Sequence, residues 1–553
     1  MKYKSGDAEL VQHLTKRLSR LEEDRRPYNA VWDEVTEFVL PSRGTYAYKN
    51  MASDPERKSR RRFDPTPVYA CRDLTSKIIS NLTGTADRWF DYRVEDPQVD
   101  GLDPVRRSLQ KVSDRAYSLI NDGSFRMAHV EATTNWVAYG TGCILVTEEP
   151  AKEGEGPELD FQSIHPLEIF IAENKVGEID TVYRKYKLTY RQAEQVWGYD
   201  NLPEEWLEKL AEKPDDLVEL VHCVMPNKDY KEGKLTSNYF KFKSFHFSQE
   251  CKHIISVGGF KRNPYYVFRF WKRSNEVYGG SPAIDAMADI RVLNLMEEAN
   301  TRMIQLEGFP PIAVAHDSVI APMRIIPNGI NYGGISADGR RLVDRLLPAS
   351  TGLQAVFQAL EQKRQSIRTA FFVDPRMNAD VSIRTAAEVA KRANEELVGI
   401  TPFINRYQAE YLSPVLDHVL DFVLRLTAKT ISIPVELHGH VPQIEYTAPL
   451  AKTQRAQELN NTMQFLQVVQ SMAQADPSIM QRLDQAALFE RLADLFGVPF
   501  EVIVPPEVMA QREAMQQQQM MQQQVMQQVG QAGGLMNDMA KSGLINRDDL
   551  GIA

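Results

Sequence analysis

The chain has 553 residues, of which 65 are Lys or Arg and 74 are Asp or Glu, for a formal charge of −9. This length exceeds what a single core needs, so several structural regions are expected. The acidic balance argues against a protein that grips nucleic acid over its whole surface.

The first 150 residues predict mostly helix. An amphipathic helix is expected over 7–39, where apolar residues recur at helical spacing. Residues 41–62 predict a polar loop that ends in the basic run 57–62. That run suits a phosphate or a neighbouring subunit, or is simply a solvated loop. Helices are expected at 66–84 and 103–121, followed by an apolar stretch over 136–146.

The apolar period changes to two between 158 and 272, which predicts strands. Tyr239–Phe247 alternates as a half-buried strand does, Tyr265–Trp271 is a second β-rich run, and Asn227–Gly233 predicts a hairpin connection. The alternation of aromatic and basic residues at 239–247 also resembles a stacking platform for single-stranded nucleic acid. A sheet with one face on the core explains the same pattern.

A long helical pattern over 281–307 opens with Ser281 as N-cap and Pro282 at the first helical position, and it ends at Gly308. Its length, roughly 40 Å at 1.5 Å per residue, suits an element of a conduit better than a catalytic pocket. A Pro/Gly-rich interval over 308–349 follows, with short strands expected at Ile312–Ala315 and Arg324–Pro327. A third helix is predicted at 351–372.

A second long pattern covers 385–426 and opens with the capping box Thr385–Glu388. Pro402 and Pro414 each remove one backbone hydrogen bond, so a kinked helix of roughly 60 Å is expected. A break into two helices at 399–402 is the alternative. Asp374–Ser382 lies between the third helix and this pattern. It has no apolar period and predicts a loop.

The C-terminal part predicts a β-like piece at Ile431–Tyr446 and helices near 449–475 and 478–496. Residues 507–529 are dominated by Gln and Met and contain no Gly or Pro. Both residue types favour helix, so a helix is one reading of 507–529, and a disordered polar tail is the other.

Motifs of enzyme chemistry are missing from the sequence. It has no GxxxxGK[ST], HExxH, GxSxG or EF-hand loop, so neither an enzyme nor a bound cofactor or metal is expected. Three groups of residues could be metal ligands or paired acids, but we interpret the first as part of a strand, the second as a turn, and the third as one solvated or channel-facing side of a helix. They are His246 with Cys251 and His253; His438 with His440; and Asp285, Asp289, Glu297 and Glu298.

Cysteine usage and the absence of targeting signals indicate the compartment. The four cysteines are far apart and form no CxxC, which predicts reduced thiols. The first residues lack the apolar run of a signal peptide, and no 18 apolar residues run together. We therefore expect folding in a cytoplasm.

Four segments carry a likeness to a known family and follow its order. They are FDPT through Phe90 (63–90), YGGSP through Asn294 (278–294), TAAEV through Val415 (385–415), and Val441 to Arg455 with APLA (441–455). Together they resemble the portal proteins, or head-to-tail connectors, of short-tailed double-stranded DNA phages. The tail after Pro506 departs from the family pattern.

The resemblance implies an α+β portal fold with wing, stem helices, clip and helical crown, assembling as a ring. The implied regions are a helical wing (1–157), a β-rich wing (158–275), a first stem helix (276–308), a clip (309–350), a second stem helix (351–372), a tunnel loop (373–384), a long kinked wing helix (385–426), a wing return and crown (427–506), and a C-terminal helix or tail (507–553). The tunnel-loop side chains implied to face DNA are Asp374, Arg376, Asn378, Asp380 and Ser382.

The same resemblance implies a ring of twelve copies at one capsid vertex of the virion, assembled in the host cytoplasm. It would conduct double-stranded DNA in packaging and ejection. The implied partners are the large terminase subunit, then tail adaptor or tail tube proteins, with major capsid and scaffolding proteins around the ring. No membrane partner is expected. A tail adaptor or tube ring protein, a nucleic-acid-binding protein and an uncharacterised enzyme are the alternatives.

Overall fold

The computed structural model describes residues 7–41, 62–84, 88–100, 102–149, 157–234, 236–309, 312–315, 326–335, 353–373 and 399–427. It also describes 434, 437, 439–447, 459, 462–472, 488–489, 492 and 515. The chain divides into two compact units. One comprises Met1–Asp100 and Ser108–Leu450, and the other comprises Gly101–Arg107 and Ala451–Ala553. The described residues of the second unit include a helix over 462–472.

The described helices follow the predicted 3.6-residue period in most places. They are α1 (Asp7–Phe38), α2 (Thr66–Leu82), α3 (Asp103–Asp122), α4 (Phe125–Tyr139), α5 (Tyr190–Trp197), α6 (Glu204–Glu212), α7 (Met287–Gly308), α8 (Leu353–Ala370) and α9 (399–427). The bounds of α1, α2, α3 and α8 confirm the sequence predictions to within about two residues, the usual uncertainty of helix ends. None of the described helices is long and apolar enough to cross a membrane.

The strands confirm the change of period after residue 158, although two further strands, at Phe90–Arg93 and Thr141–Glu149, lie in the stretch predicted as mostly helical. They are β1 (Phe90–Arg93), β2 (Thr141–Glu149), β3 (Glu158–Ser163), β4 (Ile169–Glu173), β5 (Ile179–Thr189), β6 (Leu217–Pro226), β7 (Phe242–Ser248), β8 (His253–Phe260), β9 (Tyr265–Arg269), β10 (Ile312–Ala315), β11 (Ile330–Ile335) and β12 (Gln443–Tyr446). An antiparallel sheet has the order β4-β5-β6-β7-β8, and a smaller one has the order β3-β2-β9. β1 pairs antiparallel with β12, and β10 pairs parallel with β11.

One predicted strand is wrong. Arg324–Pro327 was expected to be extended, but Ile326 and Pro327 lie in a turn, and the strand that pairs with β10 begins at Ile330. The reason is local, because Pro-Asn-Gly at 327–329 is a strong turn sequence and Asn328 has a positive φ of 57°.

The main core of the first unit is aromatic and lies between α4, β9 and α9. Trp136 of α4 is fully buried, with its ring centroid 4.6 Å from that of Tyr407 and 4.5 Å from that of Phe270. Phe268 stacks on Tyr411 at 4.3 Å. These large rings from distant parts of the chain fix α9 on the small sheet.

The five-stranded sheet has a core on each face. One is covered by the apolar stripe of α1, including Leu14 and Leu18, which packs on Phe170 and Phe247. The other core involves the short helices α5 and α6, inserted between β5 and β6, with Trp206 buried at its centre. The sequence did not predict α5 and α6.

Candidate functional site: the helix pair and its junction with the sheet

α7 and α8 form a helix pair held partly by charged side chains. Asp289 of α7 accepts hydrogen bonds from Lys363 Nζ at 2.7 Å and Ser366 Oγ at 2.6 Å, both in α8. The hydrogen bond from Lys363 lowers the pKa of Asp289. Farther along α7, Glu297 pairs with Arg364 of α8. The first turn of α7 thus lies beside the C-terminal half of α8.

The start of α2 is tied to both helices of this pair. Asp64 is almost fully buried; it accepts a hydrogen bond from Thr66 N at 2.7 Å and pairs with Arg364 Nε at 2.9 Å. The backbone N–H of Phe63 donates to Asn294 Oδ1 of α7 at 2.8 Å. The FDPT segment therefore has a physical role, in which Asp64 binds the first backbone N–H of α2 and pairs with α8, while the backbone of Phe63 binds α7.

The helix pair covers little of its own apolar surface. The two helices are in contact, and their buried apolar side chains include Ile290 and Leu293 of α7 and Leu360 and Ile367 of α8. Large apolar side chains point outward elsewhere on the two helices and at the end of α7. They are Val292, Leu295, Ile304, Phe309 and Phe357, and each of these residues is 43–67% exposed. Surfaces of this kind mark contacts with other molecules.

The YGGSP segment joins the helix pair to the sheet by close backbone contact. A Cβ on Gly279 would lie 2.1 Å from the carbonyl oxygen of Gly140, and one on Gly280 would lie 2.0 Å from Trp271 Nε1. Only glycine fits at either position, because those atoms belong to the backbone or to the rigid indole ring of Trp271. The N–H of Gly279 also donates to Thr141 Oγ1 at 3.1 Å.

Ser281 confirms its predicted role as an N-cap. Its Oγ accepts from Ile284 N at 3.1 Å and donates to the carbonyl of Ala138 at 2.7 Å. Pro282 occupies the first helical position, as predicted. The helical pattern is interrupted, however: a single turn over Pro282–Asp285 ends at Ala286, and α7 then starts at Met287.

α9 contains an irregular turn, and this turn carries Glu410, which contacts the buried Arg269 of β9. It is α-helical over 399–407, forms a π-turn over Gln408–Leu412 and is α-helical again over Ser413–Thr427. Pro414 lacks the N–H that would bond to the carbonyl of Glu410 in a regular helix. Pro402 lies in the first turn of the described stretch, and the kink at these two prolines stays a prediction.

Glu410 in the π-turn meets Arg269 of β9, which is 3% exposed. The Glu410 carboxylate accepts hydrogen bonds from the backbone N–H of Arg269 at 2.9 Å and from Arg269 Nη2 at 2.8 Å. Arg269 also pairs with Glu173, which binds Lys272 at 2.7 Å, while Arg406 lies 3.1 Å from Glu410. This charge cluster fastens α9 to β9 beside the YGGSP junction.

A set of buried hydrogen bonds also fixes α9 to α4. Tyr411 Oη lies 2.8 Å from His129 Nδ1, and Tyr407 Oη lies 2.7 Å from Thr133 Oγ1. Thr83 Oγ1 completes the set at 2.8 Å from His129 Nε2. Burial lowers the pKa of His129 to about 3, so the ring is neutral at pH 7.

The chain leaves α8 and returns to α9 at one place. Phe372, after α8, and Phe403, in α9, have ring centroids 5.7 Å apart. Gly399 also lies against Phe372, since a Cβ built on it would be 3.9 Å from that ring. The predicted DNA-facing residues Asp374, Arg376, Asn378, Asp380 and Ser382 fall between these two points and lie outside the described residues.

Most of the other candidate metal and acid residues form ion pairs or ring contacts within the chain. Asp285 pairs with Arg273 and Glu298 with Arg302, so the four acids of this region each have a basic partner. His246 stacks on His222, ring centroids 3.9 Å apart. Among the described residues no group of three or more His, Cys, Asp or Glu could hold a metal. His438 lies outside the described residues.

Sequence reasoning missed the cluster of Arg269, Glu173 and Glu410. Arg269 and Glu410 are 141 positions apart, and neither stands in a recognisable motif. No sequence signal shows that β9 and α9 meet. The four cysteines, all within the described residues, form no disulfide.

The chain is similar to known proteins over most of its length. A family model described as bacteriophage head to tail connecting protein matches residues 11–504. The portal protein of Salmonella phage epsilon15 is 25% identical over 509 residues, covering 89% of each chain. The probable portal protein of Bordetella phage BPP-1 is 23% identical over 505 residues, covering 89% of this chain and 88% of its own. The helix pair, its FDPT and YGGSP contacts and the aromatic core all lie within the matched residues, and the chain therefore belongs to the bacteriophage head to tail connecting protein family.

Proposed function

We propose that this protein is the portal subunit of a short-tailed phage. Twelve copies form a ring at one capsid vertex of the virion, and the ring conducts double-stranded DNA during packaging and ejection. The family match over 11–504 and the two portal relatives support this role. The motor that drives packaging is a different protein, since the sequence has no phosphate-binding loop.

The observation that carries the proposal is the uncovered apolar surface of the helix pair. Leu295 of α7 is 67% exposed and Ile304 is 51% exposed, and Phe357 of α8 is 50% exposed. Two helices that leave such side chains in water gain stability when neighbouring copies cover them. Repetition of one contact between different faces of identical subunits gives a ring when the rotation from copy to copy completes a full turn.

The other regions follow from the same proposal. The helix pair α7–α8 is the stem, and residues 309–350, which contain β10 and β11, are the clip that docks the large terminase subunit and then the tail adaptor or tube proteins. Major capsid and scaffolding proteins contact the outer wing. Two paired strands are marginal alone, which fits a segment completed by neighbours. The crown lies within 427–506.

We assign residues 373–384 to a loop that faces DNA in the channel. The proximity of Phe372 and Phe403 supports this assignment, because the 25 residues 374–398 connect the end of α8 to the start of α9 at the place where these two helices meet. Arg376 is the side chain suited to phosphate contact. Arg376→Glu should leave ring formation intact and reduce the length of packaged DNA.

The test of the ring is the particle mass of the purified protein, measured by native mass spectrometry with negative-stain images. Wild type is expected as holed rings of about twelve copies. The double variant Leu295→Gln, Ile304→Gln should shift the population to monomers. Val176→Gln, at an exposed position far from the helix pair along the chain, is the matched control and should assemble as wild type does. Discrete monomers of wild type would refute the proposal.

A further inference from the structure

The five-stranded sheet has ends of opposite charge. At one end, residues 190–216 contain eight acidic and three basic side chains. At the other end, residues 227–243 together with 261–262 contain seven basic and two acidic side chains. The difference is local, so the charge of the whole chain does not reveal it.

The acidic end is built by α5 and α6. Trp206 and Leu202 are buried against Val218 and Ile255, which fixes the two helices on the sheet. The opposite face of α6 presents exposed carboxylates at four-residue spacing. They are Glu204, Glu208 and Glu212, and within the described part of the chain none of them has an ion-pair partner.

The basic end is built by the connection between β6 and β7 and by the residues after β8. Lys228, Lys231 and Lys234 are all exposed. Two neighbouring charges are partly neutralised inside the chain, since Lys243 pairs with Asp229 at 2.9 Å and Arg262 with Asp421 at 2.7 Å. The hydrogen bond from Lys243 lowers the pKa of Asp229, and Lys231 and Lys228 lie near enough to lower it further. Among the described residues, however, none of the three lysines of the connection forms an ion pair.

Both ends also carry exposed apolar side chains. Val196 and Tyr199 at the acidic end are 64% and 56% exposed, and Tyr230 at the basic end is 49% exposed. Protein interfaces are enriched in tyrosine and combine an apolar centre with a polar rim. A merely solvated loop has no need of either feature.

We propose that the acidic end of one copy docks on the basic end of the next copy around the ring. β6 separates the two ends by ten residues, about 33 Å of rigid strand at 3.3 Å per residue. The two ends of one chain therefore cannot contact each other, whereas the ends of two neighbouring copies can. Contact between two different surfaces of identical subunits is the head-to-tail type that closes a ring. This inference rests on the proposed ring function and adds an interface that sets the orientation of each subunit relative to the next.

A nucleic acid is the competing occupant of the basic end. It would use the lysines and Tyr230, but it would leave the acidic end and its exposed Val196 and Tyr199 without a role. A second copy accounts for both ends with one contact. Repeated at every interface, the attraction also speeds encounter of correctly oriented copies.

The test reverses one end at a time. The first variant carries Lys228→Glu, Lys231→Glu and Lys234→Glu, so both of its ends are acidic. The second carries Glu204→Lys, Glu208→Lys and Glu212→Lys, so both of its ends are basic. Each alone should require at least about ten-fold more protein to form rings, because like charges then face each other. An equimolar mixture of the two should form alternating rings at wild-type concentrations.

The control reverses three charges elsewhere, at Lys16, Lys111 and Arg115 on α1 and α3. It should assemble as wild type does. Rings formed equally well by either reversed variant alone would overturn the inference, as would a mixture that fails to restore them. If the first variant forms normal rings but loses affinity for a DNA duplex, the basic end belongs to nucleic acid instead.

Salt gives a readout that needs no substitution. Raising NaCl from about 0.05 M to about 1 M shortens the screening length from more than 10 Å to about 3 Å, and wild-type rings should form more slowly and at higher protein concentration. Assembly that is insensitive to salt would contradict the docking of charged ends even if the variants did not fold. Absence of rings for wild type in every condition would instead refute the proposed function.

Discussion

The aromatic core and the helix pair are stabilised in opposite ways. The core between α4, β9 and α9 is covered on all sides within one chain, and its large rings come from segments far apart in sequence. The helix pair α7–α8 buries only a narrow seam and leaves Leu295 and Ile304 in water. The core is thus complete in a single copy, whereas the helix pair is a fragment of a larger structure that assembly completes.

The largest expected effect separates these two regions directly. Trp136→Ala should lower the free energy of unfolding by about 3–5 kcal/mol, because it empties a buried volume among aromatic rings. Leu295→Ala should change that of the monomer by less than about 0.5 kcal/mol, as exposed substitutions do. Urea unfolding of dilute monomer measures both. Equal losses for the two variants would show that the helix pair is as self-sufficient as the core.

The buried charge cluster gives the next largest effect. Arg269→Met should cost about 3 kcal/mol, because Glu173 and Glu410 are left facing each other with only Lys272 and Arg406 as partial compensation. The matched control is Arg425→Met, whose partner Glu148 lies at the surface with both side chains over 40% exposed. That control should cost less than about 1 kcal/mol. Similar losses from the two variants would mean that burial of Arg269 adds nothing.

Mild acid should weaken the aromatic core, which contains His129, and the five-stranded sheet, which contains His246, and it should spare the helix pair. Burial lowers the pKa of His129 to about 3 and that of His246 to about 4, from an ordinary value of 6.5. The unfolded chain therefore binds more protons once the pH falls below about 6.5. The contribution of these histidines to stability is fully present above that pH and declines as the pH falls toward the folded values.

The measurement is the melting temperature of dilute monomer between about pH 7 and about pH 5, where most carboxylates stay ionised. It should fall across this window. His246→Phe, which keeps a ring against His222 and Trp197 but cannot be protonated, should show a smaller fall. A melting temperature that is constant across the window would contradict the prediction.

Local signals were enough to predict much of the fold. The N-cap at Ser281, the bounds of α8 and the period-two strands follow from side-chain chemistry within a few residues. α5 and α6 were missed because they are short and lie within a long β-rich stretch. A signal was present, since Thr189 and Gln192 form a capping box at the start of α5.

The site was predicted in outline and not in its contacts. The helix pair and its glycine junction follow from resemblance and from the YGGSP residues. The link between Arg269 and Glu410 depends on how β9 and α9 pack, which no local pattern encodes. Pro414 signalled an irregular helix, but the π-turn that it follows depends on the surroundings of Tyr407 and Tyr411.

The π-turn lets α9 hold one residue more than a regular helix that spans the same distance. An α-helix advances about 100° per residue, and a π-turn spreads nearly the same rotation over one residue more. Deleting a single residue within Gln408–Leu412 should therefore give a regular helix and leave 399–407 close to its present orientation relative to Ser413–Thr427. Deleting a residue from the regular α-helical part after the turn would instead rotate one flank by about 100°, and Tyr407 would leave Thr133. Single-residue deletions should therefore be tolerated better within this turn than elsewhere in α9.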